Sequence, residues 1–319
     1  MKAVRVYQVG GPEVLRLEAL SLPEPGPGEV LVRLCAIGVN YIDTYKRRGL
    51  YPMPLPFTLG EEGAGVVERV GEGVVGVRPG DRVAFANVQG AYAEYQVVPA
   101  ERLVPIPEGL DFKLAAAVLL QGMTVHYLLE STYPVAPGDQ VLVHAGAGGV
   151  GQLLIPWAKR KGATVYATAS TPEKRRLCLE VGADYALPYE GFAQAVKALS
   201  GGGVDVVYDG VGKDTFEGSL DALRPRGMLV LFGQSSGPVP PLDPQVLNRK
   251  GSLFLTRPTL HHHTASRKEL LWRAGEVFRA VREGWLRVLI GAEFPLEGAR
   301  EAHEALEGRK TVGKVLLIP

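Results

Sequence analysis

The chain has 319 residues, 46% of them hydrophobic and 22% charged, with 35 basic against 34 acidic side chains. That length and apolar content can build a large core and predict about two domains, while a net charge of +1 provides no electrostatic footprint for nucleic acid or an anionic membrane. No uninterrupted apolar run approaches ~18 residues, Met1–Tyr7 alternates like a strand and not like a signal peptide, and Cys35 and Cys178 alone cannot assemble a disulfide framework or a cysteine-built zinc site. A cytoplasmic protein is expected, and the scarcity of Asn, the loop prolines and the preference for Arg over Lys suggest a thermostable one.

Short strands are predicted through the first hundred residues, at 2–7, 15–19, 29–37, 63–70, 82–85 and 92–98, separated by turn signals such as Pro23-Glu24-Pro25-Gly26 and Arg78-Pro79-Gly80-Asp81. Closely spaced strands of this kind predict a β-barrel-like domain. From Leu114 the pattern changes. Helical segments at 114–120 and 123–130 lead into alternating strands and helices, with strands near 140–145, 163–169, 204–208, 228–232 and 252–256, which predicts βαβ units and a parallel sheet. An amphipathic helix over 266–283 and a terminal strand over 312–318 follow; that strand could return to the first domain.

Val141-Leu142-Val143-His144-Ala145-Gly146-Ala147-Gly148-Gly149-Val150-Gly151 runs an apolar strand straight into a complete G-x-G-x-x-G. In such a turn the first glycine lets the chain leave the strand sharply, the second admits a pyrophosphate against the backbone, and the third lets the following helix pack close. The free N–H groups and positive dipole end of that helix then face the phosphates. The second strand ends without the acidic residue that an NAD site would use for the ribose 2′-hydroxyl. It runs instead into Ser170-Thr171-Pro172-Glu173-Lys174-Arg175-Arg176, a hydroxyl and a basic cluster where a 2′-phosphate would lie, so NADPH is the expected cofactor.

Three blocks carry a family resemblance: Gly60-Glu61-Glu62-Gly63-Ala64-Gly65 through Gly71, Asn40-Tyr41-Ile42-Asp43-Thr44-Tyr45 through Pro52, and Ala145 to Gly151. With Tyr208-Asp209-Gly210, Phe232-Gly233-Gln234-Ser235 and the C-terminal Gly308 to Lys314, the chain resembles the medium-chain dehydrogenase/reductase superfamily, and most of all its zeta-crystallin-like quinone oxidoreductases. The resemblance implies an α/β chain with a GroES-like β-barrel catalytic domain, residues 1–118 and 262–319, and a Rossmann-type doubly wound parallel sheet, residues 119–261, that binds NADPH. Zinc alcohol dehydrogenases of the superfamily have a Cys ligand where this chain has Asn40 and a His ligand where it has Glu61, so no metal site is expected. His261-His262-His263, read as adjacent strand residues pointing to opposite faces, are expected at the surface or a pocket rim.

Residue by residue, the resemblance implies that Asn40, Tyr45 and Tyr51 line the catalytic cleft, with Asn40 near the nicotinamide ribose or the substrate oxygen. Asp43 is expected to cap the short helix carrying Tyr45, and Glu62 to hold its turn. Gly146, Gly148, Gly149, Val150 and Gly151 would meet the pyrophosphate, and Ser170, Lys174 and Tyr189 the adenosine phosphate. Gly210 and Phe232, Gly233, Gln234 and Ser235 follow strand ends at the carboxyl edge where such sheets bind ligands. Arg257, Arg309 and Lys314 are the remaining cationic candidates. Transfer of one or two electrons from NADPH to an ortho- or para-quinone is the expected reaction, the protein contributing orientation and donors to the charged oxygen. Two alternatives stay open: an enone or enal reductase, with Tyr45 or Tyr51 as proton source, and a low-turnover dinucleotide-binding module. The apolar edge strand near Leu253–Thr256 needs cover, which a homodimer with a continuous sheet would provide.

Overall fold

The alternating segments of the first hundred residues fold as antiparallel strands because most of them bury one or both of their side-chain rows, Leu15–Ala19 only partly covering its own. The computed structural model describes residues 1–319, in two units: Met1–Met123 with Thr264–Gly284 and Val288–Pro319, and Thr124–His263 with Trp285–Arg287. In the first unit Glu29–Val39 is the central strand. It pairs antiparallel with Glu62–Val70, Tyr95–Pro99 and the C-terminal Lys314–Ile318, so the end of the chain returns to the sheet of its beginning. Ile290–Pro295, Arg82–Ala86 and Val104–Pro105 complete that seven-stranded sheet, and Leu15–Ala19, Lys2–Val6 and Phe57–Thr58 form a three-stranded one. Val30, Val32, Leu34, Ile37, Phe85, Leu59, Val315 and Leu317 lie in their shared core.

Lys314 and Glu62 stand at the first positions of two of these strands, 252 residues apart in sequence, and form an ion pair of 2.6 Å with side chains 1% and 0% exposed. The Glu62 carboxylate also accepts the Leu120 backbone N–H at 2.6 Å. One buried charge pair thereby ties the C-terminal strand, the Glu62–Val70 strand and the helix Phe112–Tyr127 together.

That helix differs from the two separate segments predicted. It runs unbroken from Phe112 to Tyr127 and continues as a π-turn over Leu128–Thr132. Gly122 does not break it because it is a packing position: a Cβ there would lie 2.5 Å from Val277 Cγ1 on the helix Arg267–Arg282. The combined Phe112–Thr132 stretch has the length and mean hydropathy of a bilayer span without being an uninterrupted apolar run, and 72% of its most apolar 18-residue window is buried, as in the core helix of a globular protein.

The second unit is a six-stranded sheet in the order Tyr185–Leu187, Thr164–Thr168, Gln140–Val143, Val204–Asp209, Leu223–Leu231, Phe254–Thr256, every pair parallel. Helices Gly149–Arg160, Pro172–Glu180, Phe192–Ser200 and Phe216–Ala222 connect its strands. Leu142, Tyr166, Val207, Phe216, Leu220 and Leu229 form its core. The doubly wound architecture is as expected, while the three-residue edge strand at 185–187 was not foreseen. The three histidines are not in a strand: they lie in the short helix Leu260–His263, with His263 stacked on Tyr127 at 4.3 Å.

Lys314→Met should lower the free energy of unfolding by about 3–5 kcal/mol, because it strands a buried carboxylate. Adding Glu62→Gln should recover part of that loss. Urea denaturation of the two variants checks both statements.

Candidate active site

In a parallel sheet all carboxyl ends lie at one edge, and each strand of the second unit delivers a predicted residue there. Gly146–Gly151 follow Gln140–Val143, Ser170 and Lys174 follow Thr164–Thr168, and Tyr189 follows Tyr185–Leu187. Gly210 follows Val204–Asp209, Phe232–Ser235 follow Leu223–Leu231, and Arg257 follows Phe254–Thr256. The loops after the fourth and fifth strands touch backbone to backbone: Phe232 N–H donates to Asp209 O at 2.9 Å, Ser235 N–H to Gly210 O at 3.2 Å, and a Cβ on Gly233 would strike Gly210 O at 2.6 Å.

The three motif glycines do different work. The left-handed residue of the turn is Ala145 (φ +51), not Gly146; Gly146 is needed because a Cβ would lie 2.8 Å from Cys178 Sγ and 3.0 Å from Ala167 Cβ. At Gly151 a Cβ would fall 2.5 Å from Ala145 O and 2.6 Å from Gly146 Cα, so the helix Gly149–Arg160 could not close on the turn. At Gly148, the helix N-cap, a Cβ meets only Ala145 O, at 3.2 Å. The protein itself therefore tolerates a side chain at 148 far better than at 151, and the space that Gly148 leaves lies beside unpaired helix N–H groups. This is the fit a pyrophosphate requires.

Beside it, Thr171 caps the helix Pro172–Glu180, its Oγ1 accepting Lys174 N–H at 3.3 Å, with Ser170 exposed before it. Arg175 donates to Ala169 O at 3.4 Å, and Glu173 is at the surface, held below the usual carboxylate range mainly by its backbone hydrogen bond. Tyr189 lies over His144, with ring centroids 6.1 Å apart. His144 carries no predicted role, yet it links three strand ends. Its Nδ1 lies 2.8 Å from Thr168 Oγ1 and its Nε2 2.9 Å from Ser219 Oγ, which donates to Asp209 at 2.8 Å. Ser219 spends its proton on Asp209, so His144 donates from Nε2 and accepts at Nδ1, a neutral imidazole whose pKa burial lowers. Asp209 also accepts Val211 N–H at 2.8 Å and Gly212 N–H at 3.0 Å, shaping the loop that holds Gly210.

The first unit gathers Asn40, Tyr45 and Tyr51. Asn40 caps the helix Tyr41–Arg47, and Asp43 reaches back to accept Asn40 N–H at 2.8 Å, in agreement with the capping role expected of it. Tyr45 and Tyr51 meet edge to face, centroids 5.6 Å apart, with Tyr41 6.3 Å from Tyr45. Asn40 is 5% exposed. Its Oδ1 accepts from Lys314 Nζ at 2.8 Å and Gln121 Nε2 at 3.4 Å, while Nδ2 donates to Glu62 at 2.9 Å and Gly38 O at 3.3 Å. Lys314, expected among the cationic contacts to the cofactor, is buried and engaged by Glu62 and Asn40, and Glu62 holds far more than its own turn. Glu61 is ion-paired with Lys46, whose ammonium also donates to Gln89 Oε1 at 2.7 Å. Arg309 is exposed, at a left-handed φ of +56 after the helix Ala299–Glu307.

Residues 26–108 match the alcohol dehydrogenase GroES-like domain and residues 149–267 the zinc-binding dehydrogenase family. The chain is 47% identical to the quinone oxidoreductase of Pseudomonas aeruginosa, over 100% of this chain and 99% of the relative. It is 43% identical to a 2-haloacrylate reductase from a Burkholderia species, over 99% and 98% of the two chains. The chain belongs to the quinone oxidoreductase family. The crystal structure of the Escherichia coli quinone oxidoreductase complexed with NADPH superposes over the whole of both chains with a TM-score of 0.98 at 42% identity. The GroES-like and Rossmann-type folds of this branch of the medium-chain superfamily are those described above.

The zinc in the name of the second matched family does not suit the residues present here. Asn40 has its whole amide engaged, Glu61 has an ammonium where a metal would bind, and no group of three or more His, Cys, Asp or Glu is placed to hold an ion. What sequence reasoning missed is a second buried polar system behind Asp43. Tyr92 O–H donates to Asp43 Oδ2 at 3.1 Å and lies 3.0 Å from His303 Nε2; Arg47 NH1 donates to His303 Nδ1 at 2.8 Å. The one local signal was a histidine on the buried face of the helix Ala299–Glu307, beside Ala299 and Ala302.

Gly148→Ala should leave the melting temperature within about 2 °C of the parent while weakening NADPH binding at least tenfold, and Gly151→Ala should lower stability by several kcal/mol. Calorimetry and fluorescence titration separate the two glycines.

Burial and the charge of Glu61 push the Asp43 carboxyl up to about 7 from 3.8, and burial with the Arg47 charge brings His303 down to about 3 from 6.5. Between pH 3.8 and 7 the folded state holds a proton on Asp43 that the unfolded chain releases, so this group's contribution falls as pH rises. Between pH 3 and 6.5 the unfolded chain protonates His303 and the folded state does not, so that contribution rises with pH. The two nearly cancel from about pH 4 to 6.5, on the order of 1.4 kcal/mol per pH unit each. Asp43→Asn removes the falling part, and its stability should climb with pH across that window, measured by denaturation at fixed ionic strength.

Proposed function

We propose that this protein is an NADPH-dependent quinone reductase. The observation that carries the reading is full-length identity of 43–47% to quinone oxidoreductases, together with the NADPH complex of one such protein at a TM-score of 0.98. The residues present suit that cofactor: the Gly148 space and the helix start at Gly149 for the pyrophosphate, and Ser170 and Lys174, with no carboxylate at the strand end, for a 2′-phosphate. When bound, NADPH supplies the hydride.

The remaining work belongs to this chain's own groups. Gly148, Gly149, Val150 and Gly151 receive the pyrophosphate, with Gly146 holding the turn against Cys178. Tyr189, Gly210, Phe232, Gly233, Gln234, Ser235 and Arg257 are the further cofactor contacts proposed at the sheet edge. Tyr45 and Tyr51 present an aromatic corner suited to a flat ring. Asn40 is oriented by Lys314 and Glu62 before any acceptor arrives, so no reorganisation is needed at the moment of reaction. A quinone is electrophilic enough to accept hydride without a metal, and its oxygens can take protons from water.

A second reading, reduction of an activated alkene, is supported by the 43% identity to a 2-haloacrylate reductase. It would require a proton at carbon, with Tyr45 or Tyr51 as donor. The proposal extends to a cytoplasmic homodimer. Phe254, 57% exposed on the open edge strand Phe254–Thr256, supports pairing of two such edges, and two unpaired cysteines suit a reducing compartment.

Steady-state oxidation of NADPH, with NADH as control, is measured against 9,10-phenanthrenequinone, 1,4-naphthoquinone and a simple enal. The expected result is turnover of the quinones with NADPH; turnover of the enal alone would transfer the reading to alkene reduction. Lys174→Glu should weaken NADPH by about 10–100-fold and NADH by little, the scale of a charge-assisted hydrogen bond. Equal losses would overturn the cofactor assignment.

A further inference from the structure

Behind the helix Tyr41–Arg47 runs a hydrogen-bond chain in which each proton can be assigned. Arg47, fully buried, donates to both Glu307 oxygens at 2.9 and 2.8 Å, to Gly10 O at 3.1 Å and to His303 Nδ1 at 2.8 Å. A guanidinium is donor only, so His303 Nδ1 accepts and the imidazole proton sits on Nε2, from which it donates to Tyr92 Oη at 3.0 Å. Tyr92 O–H then has one acceptor, Asp43 Oδ2 at 3.1 Å, and the same oxygen accepts Asn40 N–H at 2.8 Å. The chain begins at Glu307, 24% exposed, and passes through four side chains that are wholly buried.

Its members come from separate places in the sequence: the helix Tyr41–Arg47, the loop at Tyr92, and the helix Ala299–Glu307. It ends at Asn40, on the N-terminal side of a helix whose Tyr45 carbonyl accepts Leu50 N–H at 2.9 Å and Tyr51 N–H at 3.4 Å. The chain thus reaches the first turn of the helix that carries Tyr45 and leads into Tyr51. Apolar side chains of similar volume would hold two helices together as well and without the desolvation cost, so stability alone does not explain a buried series of this length. Asp43 and His303 are both kept from their ordinary ionisation, the first pushed up to about 7 and the second down to about 3. What the series adds over apolar packing is direction, because each hydrogen bond has one permitted polarity and one permitted length.

We propose that Tyr92 and His303 are positioning residues for the reduction, acting through Asp43 to set the acceptor-side residues Asn40, Tyr45 and Tyr51. Neither touches substrate. The role rests on the quinone reductase reading, and its test is arranged so that the two can fail separately.

Tyr92→Phe deletes one oxygen and keeps the ring. Among molecules that remain folded, it is expected to bind NADPH with an unchanged Kd, to show little change in KM for 1,4-naphthoquinone, and to lose about tenfold or more in kcat, the scale of one hydrogen bond to a charged group. Amide hydrogen exchange at residues 41–51 should accelerate while the strands Gln140–Val143 and Val204–Asp209 keep their protection. His303→Leu should reproduce both effects. His303→Gln, which offers one acceptor and one donor, should restore most of kcat. An unaltered kcat in folded Tyr92→Phe, or equal activity of His303→Leu and His303→Gln, would overturn the positioning role. Absence of quinone turnover in the unsubstituted protein would instead count against the quinone reductase reading, and the exchange measurement, which needs no turnover, would still decide whether Tyr92 and His303 hold the helix.

Discussion

The buried pair of Lys314 and Glu62 is the constraint from which the first unit follows. Two charges removed from water are stable only if their other hydrogen-bonding capacity is filled, and here every group around them is recruited for that purpose. Glu62 takes the Leu120 amide, the Asn40 amide and the Lys314 ammonium; Asn40 in turn takes Lys314 and Gln121. Meeting that demand brings the C-terminal strand, the central antiparallel sheet, the long buried helix and the start of the Tyr41–Arg47 helix into one register. Asn40 is thus fixed in place by charge neutralisation, not by its own helix alone.

The second unit solves a different problem. A parallel sheet buried on both faces has few polar side chains to spend, so its ligand chemistry collects where the strands end. The Thr168–His144–Ser219–Asp209 series shows how such an edge is made rigid: it joins the ends of three strands through side chains that satisfy one another. Asp209 then turns its remaining capacity to the Val211 and Gly212 amides, which fixes the loop carrying Gly210. The backbone that faces a dinucleotide is held by groups that need never touch it.

The parts of this structure legible in the sequence were those whose cause is local. Strand alternation, the Gly-rich turn and the amphipathic period of the helix Arg267–Arg282 are statements about neighbours a few residues apart. The helical segments at 114–120 and 123–130 were read apart because the partner of Gly122 is Val277, far along the chain, and the three histidines were read as strand residues because so short a run does not establish a period. Lys314 shows the same limit at the site. Its charge suggested a ligand contact, and nothing near it in sequence announces Glu62. The sharp turn was read onto Gly146, whereas the left-handed residue is Ala145 and Gly146 is needed for clearance from Cys178, a neighbour distant in sequence.

A reaction in which the cofactor supplies the reducing equivalents and the acceptor is already electrophilic leaves the protein little to do except hold things still. That division of labour accounts for the polar architecture of the first unit. The groups expected to meet the acceptor, Asn40 and the two tyrosines, are few and uncharged, whereas the charged and ionisable groups, Glu62, Lys314, Asp43, Arg47 and His303, stand behind them and are engaged with one another. An acid or base exposed to the acceptor would have to exchange protons with solvent and could not be dried. A charge buried behind a neutral amide can be, and because its partners are fixed it orients that amide before any acceptor arrives. The energetic cost of burying so many ionisable groups is reasonable where geometry, not proton transfer, is what the fold contributes to the rate.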